Sequence, residues 1–171
     1  MRAKGKLKPL LMVDIDGVIS LFGPFPAAGG GPEGVEGRFH SIEGIPHFLS
    51  STAAGHLLDL GELFEIVWAS GWEERAEDHL PHLLGLPAGL PFLRFPVAAR
   101  ASRAANAHWK LEAIGAFAGA RALAWLDDSL DDSCRRWAAE RPHPTLLVHT
   151  TPSRGLTLKE ASELSSWAQR L

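Results

Sequence analysis

Leu10-Leu11-Met12-Val13-Asp14-Ile15-Asp16-Gly17-Val18 is the stretch that decides the fold. Four apolar side chains in a row, with no polar alternation, read as a strand buried on both faces, the kind found in parallel sheets. The run stops at Asp14, and Gly17 lets the chain turn sharply away. Asp14 and Asp16 lie two residues apart, so on an extended chain both carboxylates point to one side. Carboxylates so close do not both ionise easily unless a cation neutralises them. A hard cation with oxygen ligands, Mg2+, fits that demand best. The same residues also read as a strand end with two solvated aspartates. A calcium loop does not fit, because the third acidic ligand and the later Glu are missing.

Outward from this strand, apolar runs at Phe64 to Ala69, Ala122 to Leu126 and Thr145 to His149 predict further strands, with a poorer one at Phe92 to Val97. Helical spacing predicts helices over Phe48 to Leu60, Trp109 to Phe117 and Asp131 to Ala139. Ser70-Gly71-Trp72-Glu73 fits a capping box opening a helix that runs to about Leu84, where Gly85 ends it. Pro81 inside that helix is expected to kink or shorten it. Thr157-Leu158-Lys159-Glu160 is a second capping box, at the head of a C-terminal helix. Nine of the fifteen residues from Gly23 to Gly37 are Gly or Pro, which predicts a loop over Phe22 to Gly37. Strands alternating with helices imply an α/β protein: a single Rossmann-like parallel sheet with helices on both faces.

A length of 171 residues allows one domain, spanning 1–171. Apolar residues at 46% and charged ones at 22% are ordinary for a globular chain and argue against disorder. A net charge of −3 provides no positive field to gather nucleic acid or an anionic membrane. The lone Cys134 excludes an internal disulfide and a zinc–cysteine cluster, which favours a reducing compartment. Arg2, Lys4, Lys6 and Lys8 precede an apolar run of four, against the ~7–15 residues of a signal-peptide core. No run approaches the ~20 residues of a membrane span. The expected location is the cytoplasm.

Three polar sites fall at the carboxyl ends of predicted strands: Asp14/Asp16, Ser70 and Asp127/Asp128. In an open α/β sheet that edge is where ligands bind. Trp125-Leu126-Asp127-Asp128-Ser129-Leu130-Asp131-Asp132 packs four Asp into six residues, a repulsion that needs a cation or full solvation. The plain alternative is that Asp128 or Ser129 N-caps the following helix, a solvated reading that suits Asp131 and Asp132, whereas the strand-end position of Asp127 and Asp128 favours metal. Ser70 reads as an N-cap. The same helix start, with Gly71 beside it, offers N–H groups and a dipole end suited to phosphate. Lys110 at a helix start, where the dipole disfavours a cation, is either solvated or held there to pair with phosphate and Asp14.

In order, Asp14-Ile15-Asp16-Gly17-Val18, Ser70, Lys110 and Asp127-Asp128 resemble the four motifs of the haloacid dehalogenase (HAD) superfamily. Val67-Trp68-Ala69-Ser70-Gly71-Trp72-Glu73, Leu83-Leu84-Gly85-Leu86-Pro87, Ala124-Trp125-Leu126-Asp127-Asp128 and Gly155-Leu156-Thr157 are similar to the small HAD domains of bacterial Swiss Army knife RNA-repair proteins. The resemblance implies a Mg2+-dependent phosphatase. Asp14 would be the nucleophile that forms an aspartyl-phosphate, and Asp16 the acid and then the base. Asp14, the Asp16 backbone carbonyl and Asp128 would hold Mg2+, with Asp127 close by. Ser70, Gly71 and Lys110 would hold the phosphoryl oxygens, with Arg100 or Arg103 able to replace Lys110.

Asp16 and Ser70 are separated by 53 residues and Ser70 and Lys110 by 39, and predicted elements fill both intervals. Neither leaves room for a large cap domain of ~50 residues or more. Phe22 to Gly37 is then the expected flexible flap over an open site. An open site implies a bulky or macromolecular phosphorylated substrate, or a partner that completes the pocket. A nucleic-acid end-healing phosphatase is the alternative, disfavoured by the net charge and kept open by the basic N-terminus and by Trp72 and Trp109, which read as exposed, although such tryptophans are more often core or interface than stacking platforms. A non-catalytic HAD-like binding module is the other alternative. No membrane is expected as a partner, and the oligomeric state is not legible.

Overall fold

A computed structural model describes residues 7–25, 31–101 and 107–171 of the chain. The first half holds β1 (Leu10–Val13), β2 (Ser20–Leu21), β3 (Gly37–Ile42), β4 (Ile45–Ser50), α1 (Ser51–Leu60), β5 (Glu65–Trp68) and α2 (Arg75–Leu84). The second holds α3 (Val97–Ala101), a 3-10 turn (His108–Lys110), α4 (Leu111–Ala118), β6 (Leu123–Asp127), α5 (Asp132–Glu140), β7 (Thr145–His149) and α6 (Leu158–Gln169).

Four strands form a parallel sheet in the order β5-β1-β6-β7. The pleat of β1 divides the core in two. Leu11 and Val13 face a cluster that includes Ala54 and Leu57 of α1, Leu80 of α2 and Leu164 of α6. Leu10 and Met12 face the other side, with Trp125, Ile114 of α4 and Cys134 of α5. Helices thus cover both faces, which is why β1 is apolar at every position. The chain leaves β1 toward β5 on one side and β6 on the other. That reversal opens a crevice at the carboxyl end of β1. Among the described residues no helix is long and apolar enough to cross a membrane.

A second, antiparallel sheet of order β2-β4-β3 lies between β1 and α1 in sequence. Its hairpin turns through Glu43 (φ 52°) and Gly44 (φ 79°), both left-handed as a two-residue type I′ turn requires. The helix expected from Phe48 begins only at Ser51. Phe48 and Leu49 instead pair with Phe39 and Ser20, and Phe48 packs on the Phe25 and Phe39 rings at 5.4 and 5.3 Å. Ser50 caps α1 by accepting from Ala53 N at 3.0 Å.

The Ser70 capping box does not form. Glu73 turns left-handed (φ 49°), its Oε1 accepts from Phe95 N at 2.9 Å, and α2 starts at Arg75. Gly85 (φ 67°) ends α2 as expected, with Pro81 inside the helix. Phe92 to Val97 is not a strand. Phe92 makes a single bridge to Trp68, and Pro91 and Pro96, which lack N–H donors, bracket the segment. The second capping box is present, with Thr157 and Glu160 closing the first turn of α6. Residues 26–30 of the expected flap lie outside the described residues. Of the rest, Phe22 reaches the cleft and Gly37 opens β3.

Candidate active site

The carboxyl ends of β1, β5 and β6 line one cleft of about 370 Å³. It contains Asp14, Asp16, Ser70, Gly71, Lys110, Asp127 and Asp128, so the structure brings these seven candidate residues to one place. Arg103 and the side chain of Arg100 lie outside the described residues. Phe22, Ile45, His47, Trp72, Arg75 and Trp109 form the upper walls. Ile45 and His47 belong to β4, so the hairpin lines the cleft together with Phe22.

Lys110 is not solvated. It is 3% exposed, and its Nζ lies 2.6 Å from Asp127 Oδ2 and 3.0 Å from Asp14 Oδ1. Its position ahead of α4 sets it against the strand ends from the side. Burial works against the ammonium, but Asp14 and then Asp127 more than offset it and push Lys110 up to about 12. Asp127 is wholly buried and has both oxygens engaged, Oδ2 by Lys110 and Oδ1 by Ser129 N at 2.9 Å.

One ammonium cannot balance two buried carboxylates. Burial pushes Asp14 up to about 8; Lys110 pulls it down, and the charges on Asp127 and Asp16 push it up again. Asp128, half-buried, is also raised, by burial, with the Ser129 hydroxyl opposing at 2.9 Å. Oxygens of Asp14, Asp127 and Asp128 lie within 4.8 Å of one another. A cluster of hard oxygen donors short of positive charge fits a divalent cation such as Mg2+. The Asp16 carboxylate stands apart from that cluster, exposed, and its Oδ2 accepts from Trp72 Nε1 at 3.0 Å.

Ser70 is buried, and its Oγ accepts from Trp72 N at 3.3 Å. It therefore caps the turn over residues 70–74 rather than a helix. Gly71 is half-buried on the same turn. Trp72, read as exposed from the sequence, is 5% exposed, and Trp109 is half-buried against Phe95 at 4.6 Å. Neither is a free stacking platform.

Sequence reasoning missed the supporting roles of four residues. Thr150 Oγ1 donates to Gly17 O at 2.9 Å, tying the end of β7 to the β1 turn. Its place just after a predicted strand was a usable signal, as was that of Ser129 after Asp127-Asp128. Trp72 and His47 gave none, because their contacts join segments far apart in the chain.

A parallel sheet flanked by helices, with paired acidic residues at two central strand ends and a buried lysine between them, has HAD-like architecture. Residues 10–161 match the family model described as the HAD domain in Swiss Army Knife RNA repair proteins. The chain belongs to that family of HAD domains. No curated protein is detectably similar to it.

Proposed function

We propose that the chain is a Mg2+-dependent phosphohydrolase that works through a phosphoaspartate on Asp14. The observation that carries this reading is the buried Lys110 ammonium bridging Asp14 and Asp127 at the floor of an open cleft. The Asp14 carboxylate attacks phosphorus and the bond to the ester oxygen breaks. Asp16 gives its proton to the departing oxygen. It then takes one from the water that attacks phosphorus and frees Asp14. The Ser70 hydroxyl, the Gly71 N–H and Lys110 hold the phosphoryl oxygens, on which negative charge is spread in the transition state.

Mg2+ would be held by Asp14, the Asp16 backbone carbonyl and Asp128. Asp127 would stand beside it, its own oxygens taken by Lys110 and Ser129. When bound, the metal supplies the positive charge that Lys110 alone cannot, so that Asp14 is ionised and the phosphoryl charge is offset.

Among the described residues the cleft has no large cap, and Phe22 and Ile45 at its rim are 50% and 56% exposed. These features support a bulky phosphoester substrate. The family description adds an RNA-repair setting, so a phosphorylated nucleic-acid end is the specific candidate. The net charge of −3 implies that such a substrate is held by local contacts or by a partner. Cys134, buried and unpaired, suits a reducing compartment such as the cytoplasm.

Phosphate release should be measured from a panel of aryl, sugar and 3′- or 5′-phosphorylated oligonucleotide esters, with Mg2+ and with chelator. We expect Mg2+-dependent turnover that Asp14→Asn abolishes. Full turnover by that variant would remove Asp14 from the nucleophile role. Phosphate binding without any turnover would favour the binding-module reading. High kcat/KM on a small sugar phosphate would overturn the bulky-substrate reading.

A further inference from the structure

We propose that Trp72 is the positioning residue that aims Asp16 at the leaving group, and that His47 of β4 holds Trp72 in place. The inference rests on the reading of Asp16 as the acid–base residue and adds what makes that residue effective.

Asp16 is exposed, and a carboxylate in water turns freely about its side-chain bonds. A proton donor helps only when it is within hydrogen-bond reach of the departing oxygen in the transition state. Among the described residues, Trp72 Nε1 is the one hydrogen-bond donor to the Asp16 side chain, at 3.0 Å on Oδ2. An indole N–H donates and never accepts. It therefore cannot draw off the Asp16 proton, and it fixes Oδ2 as the acceptor while Oδ1 is left to carry and deliver that proton.

The indole is itself fixed. Trp72 is 5% exposed, and the His47 ring meets it edge to face at 5.1 Å and 73°. His47 Nδ1 is paired with Ser20 Oγ at 2.8 Å, which locks the imidazole into the antiparallel sheet. The Arg75 guanidinium lies 5.3 Å from the indole centroid and is paired with Glu43 at 2.8 Å, at the hairpin turn. The β3–β4 hairpin thus reaches the end of β1 through two contacts on one tryptophan.

The test is the dependence of kcat/KM on leaving-group pKa across a series from alkyl phosphates to 4-nitrophenyl phosphate. Good leaving groups depart without a proton, so a misaimed acid costs them little. For Trp72→Phe we expect a loss of about 10–100-fold on alkyl esters, a part of the ~10²–10⁴ that general acids supply, and little loss on the nitrophenyl ester. Because Trp72 is buried, benzothienylalanine at position 72 should be measured too; it keeps the bicycle and lacks the N–H. The same selective loss is expected, with an unchanged melting temperature. An equal loss on every ester, or none, for the benzothienylalanine protein would overturn the inference. Asp16→Asn, run in parallel, separates the two readings. A steep leaving-group dependence there with a shallow one at position 72 overturns only the role of Trp72. An Asp16→Asn protein as insensitive to leaving group as the wild type overturns the acid role of Asp16, and the inference with it.

Discussion

Gly17 and Asp128 occupy adjoining space with no room for one more carbon. A Cβ built on Gly17 would overlap the Asp128 carboxylate, and Gly17 is left-handed at φ 77°. Gly17→Ala should therefore displace Asp128 from the acidic cluster. We expect the apparent Mg2+ affinity to fall on the order of tenfold or more, the range seen when groups supporting a metal ligand are disturbed. Backbone strain adds about 1–2 kcal/mol of destabilisation. Calorimetric Mg2+ titration checks the first effect and thermal unfolding the second. An unchanged affinity would remove Asp128 from the cation site.

Lys110→Met should show the cost of leaving Asp127 without its cation. Asp127 is wholly buried, so the variant strands a charge rather than exposing it to water. Breaking a buried pair in this way costs about 3–5 kcal/mol. Urea unfolding in chelator should show a loss of that order, and activity should fall to background. A loss below about 1 kcal/mol, the range of exposed pairs, would mean that water reaches Asp127 after all.

Asp14 should contribute a loss of stability to the metal-free protein as pH rises from about 4 to about 8. Asp14 sits near 8 in the folded chain against 3.8 in the ordinary state. Between those values the folded state keeps a proton that the unfolded state releases, so this group contributes a negative slope of stability against pH. The slope is absent below about 4 and levels off above about 8. Asp14→Asn, which has no proton to lose, should lack that contribution and be the more stable protein at pH 8 in chelator. Parallel slopes for the two proteins would refute the raised value.

Glu43→Asn should stabilise the hairpin. A left-handed Glu costs about 1–2 kcal/mol, which Asn tolerates better. The ion pair it would lose, to Arg75 at 2.8 Å, joins side chains 37% and 55% exposed. Such pairs are worth about 0–1 kcal/mol, so relief of strain outweighs the loss. A melting temperature lower than that of the wild type would reverse the ranking of these two effects.

The parallel sheet was legible because its signals are local. Leu10 to Val13, Ala122 to Leu126 and Thr145 to His149 announce buried strands by their own apolar runs, and each ends near a polar site. Thr157 and Glu160 close a capping box within four residues. The hairpin was hidden. Phe48, Leu49, Leu57 and Leu58 fit a helical spacing, and only pairing with Phe39 and Ser20 makes the first two a strand. The box at Ser70 misled because the Glu73 side chain found Phe95 N, 22 residues along, in place of its own helix end. The Asp16–Trp72 bond spans 56 residues, and no periodicity in either segment points to the other.

The two-residue turn at Glu43-Gly44 makes the wall of the cleft adjustable in length. Antiparallel strands keep their faces when they grow by even numbers of residues. Two residues added to each of β3 and β4 beside the turn would move the tip outward by ~7 Å, at about 3.4 Å per residue, while Ile45 and His47 kept their side of the sheet. The strand ends that carry Asp14, Ser70 and Asp127 would not shift. Reach over the substrate is thus tunable apart from the strand ends so long as His47 keeps its contact with Trp72, and the Glu43–Arg75 pair, which travels with the tip, is the contact a longer hairpin would give up.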